Sequence, residues 1–364
     1  MYSIFTMQIG LGLLAAFFVA TALIPAINGP AHRFGLIDHP DHRKRHAKPT
    51  PLTGGIGIFA GFAVGIALLG LPLAPYWTLI AGMIVLLLTG LADDMMDVSA
   101  PARLLIQIGV GCLMVYGGGL EVNILGEVFG PIYGPVGLGP FAAPFTVACV
   151  VFMINAVNMA DGLDGLAGGT AMFIFALLAL VAWLDGAPAG LSAVSLVLLL
   201  STAGFLIHNM RTTQKRARVF LGDTGSMMLG YAIAWLAVAV GTREGGDIYP
   251  VSMAWLLVVP GMDTLALFFR RIRLGRSPFA PDRTHLHYIF RRCGYGVVTT
   301  VHVIHMLVVA TGLFGILAWQ YRWPEWVMFA GAAGVLVGYQ VFLANAHRVI
   351  RWHHKRARKR AAPD

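Results

Sequence analysis

The sequence predicts an all-α integral membrane protein of about eleven transmembrane helices, with polar cytoplasmic loops and a small periplasmic β-hairpin. Three observations carry this expectation. Of the 364 residues, 57% are hydrophobic and 12% charged, about half the charge fraction of a soluble domain, and the mean hydropathy is +0.74. The apolar residues run in blocks long enough to cross a bilayer, which takes about 20 residues as a helix. The basic residues lie almost entirely in every second connection between those blocks.

The blocks centre near residues 17, 62, 84, 110, 150, 175, 198, 233, 260, 309 and 336. The first is preceded by MYSIFTMQ, which holds no Lys or Arg, and runs to Ile24 without an A-x-A pattern. It reads as a retained helix with its N-terminus outside, not as a signal peptide. The connections 28–52, 93–103, 155–165, 209–222, 270–297 and the end from 346 then fall inside. They hold 24 of the 26 Lys and Arg, leaving only Arg243 and Arg322 outside. All four Glu (Glu121, Glu127, Glu244, Glu325), with Asp185 and Asp247, fall outside. No stretch offers a soluble core, so the whole of 1–364 reads as one polytopic domain with a basic cytoplasmic tail, 346–364. That tail, RWHHKRARKR at its centre, sets topology and would attract anionic lipid headgroups at about 1 kcal/mol per basic residue near the surface. The net charge of +9 does not indicate nucleic-acid binding, since no folded nucleic-acid module accompanies it.

Between the fourth and fifth blocks, GGLEVNILGEVFGPIYGPVGLGP (118–140) alternates and is punctuated by Gly and Pro, the pattern of a hairpin. Cys112, Cys149 and Cys293 have no metal-ligand spacing, and no disulfide is expected. No internal repeat of the secondary-transporter kind is visible.

Chemistry gathers at the inside ends of the blocks. LADDMMD places Asp93, Asp94 and Asp97 where the third block meets the cytoplasm. If the helix continues, Asp93 and Asp97 share a face at i, i+4. Paired carboxylates there hold a divalent cation, or one of them rises in pKa to act as a base; the bland alternative is a solvated helix end. NAVNMADGLDGLAGG spaces Asn155, Asn158, Asp161 and Asp164 by three residues, which keeps them on one side of a helical turn. Oxygen donors of this kind suit magnesium, whereas capping explains one such residue, not four. In VFLGDTGSMMLG, Asp223 and Ser226 open the eighth block. They read as caps, or as the head of an anion site where a magnesium-bound phosphate would sit. Phe220 either packs or stacks on a base. In PDRTHLHYIFRRCG, Arg283, His285 and His287 read as phosphate contacts, with metal ligation or a purely topological role as alternatives. Lys48, before PTPLTGG, is the best candidate for a diphosphate contact. Asp263, beside Pro260 and Gly261, is a lone intramembrane acid expected to pair within the bundle, for instance with an Arg of 270–273.

These motifs, in this order from about residue 34 to 295, resemble the polyprenyl-phosphate N-acetylhexosamine-1-phosphate transferases. KPTPLTGG, LADDMMD, NAVNMADGLDGLAGG, VFLGDTGSMMLG and DRTHLH carry the likeness. Within the family the chain is similar to the WecA branch, which moves GlcNAc-1-phosphate from UDP-GlcNAc to undecaprenyl phosphate. It is less similar to the MraY branch, with ten helices and three consecutive histidines. Tyr288 stands where the WecA branch usually has His. The resemblance implies that Asp223 binds Mg2+ (or Mn2+) with Asn158. It implies that Asp93 and Asp94 deprotonate or position the lipid phosphate, with Asp97 beside them, and that Asp164, Asn209 and Phe220 lie at the uridine. Asp161 would be a substrate-binding acid, Arg283, His285 and His287 would contact sugar and phosphate, and Lys48 the diphosphate. It further implies a bacterial inner-membrane enzyme of cell-envelope polysaccharide synthesis, such as that of lipopolysaccharide O-antigen. Its partners would be a UDP-N-acetylhexosamine, undecaprenyl phosphate, membrane lipids and, as a candidate, a second copy of the chain.

Both substrates are polyanions, so their phosphates meet only if metal, Arg and Lys neutralise them. A phosphate monoester with a second pKa of about 6 is already an adequate nucleophile, which favours single in-line attack over a phospho-aspartate intermediate. Two other classes fit the motifs less well: a transporter, whose acids would lie near the midplane, and a prenyltransferase, which would need a second Asp-rich motif.

Overall fold

The computed structural model describes residues 2–38, 49–211, 216–275 and 284–361. Each of the eleven apolar blocks is helical. They are α1 (Tyr2–Phe34), α2 (Gly54–Leu68), α3 (Trp77–Met96), α4 (Ala100–Cys112), α5 (Ala142–Ala160), α6 (Leu166–Leu184), α7 (Ala189–Asn209), α8 (Gly222–Gly241), the pair α9 (Pro250–Leu256) and α10 (Val258–Arg273), α12 (Val297–Gln320) and α13 (Glu325–Ala361). A seven-residue helix, α11 (Leu286–Arg292), lies outside the blocks.

The count of eleven spans is refined here. Among the described residues nine helices are long and apolar enough to cross a membrane. The block near 260 is broken, with α9 and α10 meeting at 82°. The block near 62 is α2, whose 15 residues rise only about 22 Å. The blocks near 84 and 150 give full spans of 23 and 22 residues. The basic stretch from 346 continues the last span as helix, since α13 runs unbroken for 37 residues to Ala361. At 1.5 Å per residue that is about 55 Å, well beyond a hydrocarbon core of about 30 Å.

The expected hairpin forms, though it is minimal. β3 (Ile124–Gly126) pairs antiparallel with β4 (Val136–Gly137). At the other end of the bundle β1 (Ile37–Asp38) pairs with β2 (Thr50–Pro51).

Helix α8 is the centre of the bundle; 94% of its most apolar stretch is buried. Small residues let its neighbours reach its backbone, as membrane interfaces require when apolar side chains gain little by leaving lipid. A Cβ on Gly90 of α3 would stand 2.3 Å from Thr224 Cα. One on Gly55 of α2 would stand 2.5 Å from Gly225 N, and one on Gly230 would stand 2.6 Å from Ile154 Cα of α5. These contacts bring the ends of α3, α5 and α8 together, and the acidic motifs lie on those ends.

Candidate active site

Helix α3 stops at Met96, and Asp97 caps it in the left-handed region at φ 53°. Asp97 is exposed and shares no helical face with Asp93, which corrects the i, i+4 expectation. The cause is local. Asp93 turns inward, buried, and accepts the Val98 N–H at 2.8 Å and a hydrogen bond from Arg103. Its carboxylate thus stitches the α3 end to the start of α4.

Asp94 has a role that no motif indicates. It accepts the Asp223 N–H at 3.0 Å, the Thr224 N–H at 3.1 Å and the Thr224 hydroxyl at 2.7 Å. It is the N-terminal cap of α8, supplied from another helix. Two otherwise unpaired N–H groups are satisfied, and a negative charge meets the positive end of the helix. Gly222 permits the approach: its φ is +72°, and a Cβ there would stand 2.6 Å from Asp94 Oδ2. Ser226, expected as a cap, instead donates to the Gly222 carbonyl at 3.0 Å.

Asp223 is thereby held at the head of α8 with its side chain facing α4 and α5. Asn158 Nδ2 donates to Asp223 Oδ1 and lies 2.9 Å from Ser226 Oγ. Arg103 Nη1, paired with Asp93, is also 3.6 Å from Asp223 Oδ2. Asp93, Arg103, Asp223 and Asn158 therefore form one mixed-charge centre drawn from four helices.

The four residues spaced by three in NAVNMADGLDG do not share a side; they separate. One turn before Asn158, Asn155 donates to Gln107 of α4 at 2.6 Å. Helix α5 ends at Ala160, and Asp161 caps it, opening to solvent. Protein crowded around this solvent-open cleft, and the nearby carboxylates of Asp223, Asp94, Asp164 and Asp38, push the Asp161 carboxyl above its ordinary range. Asp164 turns away to Arg211, 2.5 Å from its Nε, and accepts the Ala217 N–H at 3.3 Å. Asn209 is buried and spans two loops: its oxygen accepts the Gly165 N–H at 2.6 Å and its nitrogen donates to the Val219 carbonyl at 2.8 Å. Phe220 is half-buried beside Ala31, Leu36 and Leu52, and its N–H donates to the Pro51 carbonyl at 2.9 Å.

The histidine loop closes over the same turn. A Cβ on Gly162 would stand 2.4 Å from His287 Nε2. That nitrogen is buried without a hydrogen-bond partner, a polar atom awaiting one. Burial first, then the neighbouring His285, lowers the His287 imidazole to about 4, so it is neutral at ordinary pH. His285 and His287 rings lie parallel, centroids 5.6 Å apart. His285 Nδ1 is 2.9 Å from Asp263. Asp263 thus pairs within the bundle as expected. The groups that hold it are His285, Leu286 and Tyr339, none of which belongs to the arginine cluster at 270–273. Lys48 and Arg283 lie outside the described residues.

Four contributors stand outside the motifs. Arg103 reads from sequence only as a topology charge; its being the one basic residue in 93–103 is the available signal. Gln107 and Arg211 carry no motif, and Tyr339 sits in an apolar helix with nothing to mark it.

The donors around Asp223 are a carboxylate, an amide and a hydroxyl, all oxygen-bearing. No cluster of three His, Cys, Asp or Glu able to cage a metal occurs among the described residues. Asn158 here turns its nitrogen to Asp223 and Ser226; with the amide flipped to present its oxygen, one carboxylate with neutral oxygen donors is the set that suits magnesium, which keeps waters and takes substrate phosphates as further ligands.

The description "Glycosyl transferase family 4" fits residues 76–241, the stretch from α3 through α8 that holds this centre. Over nearly its whole length the chain is similar to proteins named undecaprenyl-phosphate alpha-N-acetylglucosaminyl 1-phosphate transferase. The Escherichia coli O157:H7 protein is 33% identical over 351 residues, covering 96% of this chain and 94% of its own. The Yersinia pestis protein is 32% identical, covering 96% of each. The Haemophilus influenzae protein is 31% identical, covering 95% of this chain and 96% of its own. Likeness of that extent, with the acidic motifs converging at the end of a helical membrane bundle, places the chain in glycosyl transferase family 4, as a membrane phosphoglycosyltransferase of the polyprenyl-phosphate N-acetylhexosamine-1-phosphate transferase family.

Proposed function

We propose that the protein transfers N-acetylglucosamine 1-phosphate from UDP-GlcNAc to undecaprenyl phosphate and releases UMP. The observation that carries this reading is the centre at the head of α8, where Asp223 meets Asn158 and Arg103. It joins an anionic metal ligand to a fixed cation, which is what two phosphates need in order to approach.

Asp223 and Asn158 would hold Mg2+ or Mn2+, and the bound metal supplies charge neutralisation at the diphosphate. Arg103 supplies a second, permanent positive charge, and Asp93 keeps its guanidinium in place. Asp94 is committed to the α8 backbone, so its part is to position Asp223. With Asp93 and Asp94 both engaged as acceptors, the lipid phosphate acts in its own ionised form. One of its oxygens bonds to the β-phosphorus of the sugar nucleotide in line. The bond from that phosphorus to the bridging oxygen breaks, and UMP leaves with the oxygen and the electron pair. His287, lacking a partner at Nε2 beside Gly162, would take a polar group of the sugar phosphate. Asn209 and Asp164 shape the loops proposed to receive the uridine, Asn209 by bracing Gly165 against Val219.

The 24 basic residues of the inside connections support a cytoplasmic placement of this end, with the N-terminus periplasmic. An impermeant thiol reagent on intact cells should reach a cysteine at 121 and not one at 355. Undecaprenyl phosphate, magnesium and a panel of UDP-sugars, with UMP release as readout, test the reaction. UMP formed with UDP-GlcNAc only when the lipid is present is the expected result. Release of pyrophosphate, or a burst of UMP without lipid, would overturn it.

A further inference from the structure

The last helix, α13, is the least buried of the spans, with 17% of its most apolar stretch inside the protein. Yet Tyr339 in it is only 7% exposed, and its hydroxyl reaches Asp263 Oδ1 at 2.5 Å. The same carboxylate accepts the Leu286 N–H at 3.1 Å and meets His285 Nδ1 at 2.9 Å. We propose that Tyr339 and Asp263 are positioning residues for the transfer reaction, fixing the tautomer and orientation of His285 through this hydrogen-bonded chain. The inference rests on the proposed reaction and names residues beyond it.

Geometry determines the tautomer. A carboxylate that takes an O–H and an N–H is acting as an acceptor, so the proton between it and the imidazole belongs to Nδ1. Nε2 is then the ring nitrogen left for the substrate: its lone pair accepts a hydroxyl or amide proton, and only with a second proton does it donate to a phosphate oxygen. Orientation has consequences beyond His285 itself. Its ring lies parallel to that of His287, which in turn abuts Gly162 beside Asp161. A tilt of His285 would therefore be passed to the turn that faces Asp223.

The contact is no isolated accident of packing. Gln340 donates to the Ala266 carbonyl at 3.1 Å, and His354 lies 2.9 Å from the Arg292 carbonyl. The His353 and Tyr295 rings are 5.5 Å apart. Helix α13 thus grips the segment before the histidine loop and the segment after it. A helix that merely anchored itself would not need to place a hydroxyl on the histidine's own partner.

The test uses the full-length enzyme in detergent and the variant Tyr339→Phe, which keeps the ring that packs on Phe342. Removing the outer partner of a metal-ligating histidine costs about 10- to 100-fold, and the lower end of that range applies to a histidine that carries no metal. We expect kcat to fall about tenfold, with KM for UDP-GlcNAc within about twofold. In a His285→Ala background the same change should cost less than about twofold, because the residue acts through His285. Equal losses in both backgrounds would overturn the proposal and leave Tyr339 a general brace. A second readout needs no turnover. In protein labelled with 15N-histidine, the His285 signal, identified by its loss in His285→Gln, should show a protonated Nδ1 and should shift in Tyr339→Phe. An unprotonated Nδ1, or a signal that stays in place, would also overturn it. Absence of UMP from wild-type enzyme would refute the substrate reading alone, and the histidine signal would still decide this one.

Discussion

Helices α8 and α13 both carry an apolar stretch long enough to span a bilayer, yet 94% of that stretch in one and 17% in the other lies inside the protein. Both bring a group to the same end of the bundle. On α8 the group is Asp223, fixed by a cap from α3, an amide from α5 and an arginine from α4. On α13 it is Tyr339, whose hydroxyl reaches the site through one carboxylate. The difference teaches where accuracy is invested. The acid proposed to bind the metal sits on the helix that can least move, and the group acting at one remove sits on the helix that faces lipid.

The comparison is broken most forcefully at α8. Asp223→Asn should lower kcat by at least about a thousandfold with the fold retained, since it removes the anionic ligand at the point of charge development. Near-normal turnover would reduce GDTGS to a helix start. Gly90→Ala comes next. Its new Cβ would meet the Thr224 backbone at 2.3 Å, and backbone cannot rotate away. Overpacking of this kind costs about 1–3 kcal/mol, and a shift of Asp223 by about 1 Å should cost about a hundredfold in rate. Gly334→Ala on α13, where no atom lies within 4 Å, should leave turnover unchanged and stability within about 1 kcal/mol. If the two glycines behave alike in thermal melts and rates, the contrast between the helices fails.

Asp94→Ala tests the cap. Losing it should cost about 1–2 kcal/mol of stability, with a rate loss that rising pH does not restore, because Asp94 serves the α8 backbone. Recovery of activity at high pH would instead mark Asp94 as a proton acceptor.

A smaller effect concerns His287. Its folded pKa of about 4 lies below the ordinary 6.5, so the unfolded chain binds more protons between those values. Stability is therefore full above about 6.5 and falls as pH drops toward 4. His287→Gln should flatten that slope in melts recorded from about pH 7 to 4; an unchanged slope would place the acid sensitivity elsewhere.

The smallest effect belongs to the opposite end of the bundle. There Arg322, hydrogen-bonded to Asp247, holds that carboxyl below its usual range. The contribution is present above the usual carboxylate range and lost as pH falls through the lowered value. Both groups are exposed, so Arg322→Ala should barely move the melting temperature and leave turnover intact. A large rate loss there would mean that the two ends are coupled.

Much of this site is legible in the amino-acid sequence. The motifs put Asp93, Asp94, Asn158 and Asp223 together, and in the folded chain they meet. Asp97 departs from its expected place because α3 does not continue past Met96, where Asp93 takes the Val98 N–H and turns the chain. The run Asn155, Asn158, Asp161, Asp164 has the spacing of one face, but α5 ends inside it and each residue finds a different partner. Arg103 and Tyr339 escape a reading of motifs because a lone arginine and a tyrosine in an apolar helix carry no pattern.

By itself the sequence determined that this chain lies in a membrane, how many apolar segments it has and which of their ends carry charge. Those properties follow from transfer free energies summed over about 20 residues, and a sum tolerates local error. Only the tertiary structure decided that Asp94 caps α8, that Arg103 reaches both Asp93 and Asp223, and that Tyr339 reaches the partner of His285. Such pairings depend on hydrogen-bond distances near about 3 Å between groups far apart in the chain. The glycine contacts that bring the helices to that distance are visible only once the helices are packed.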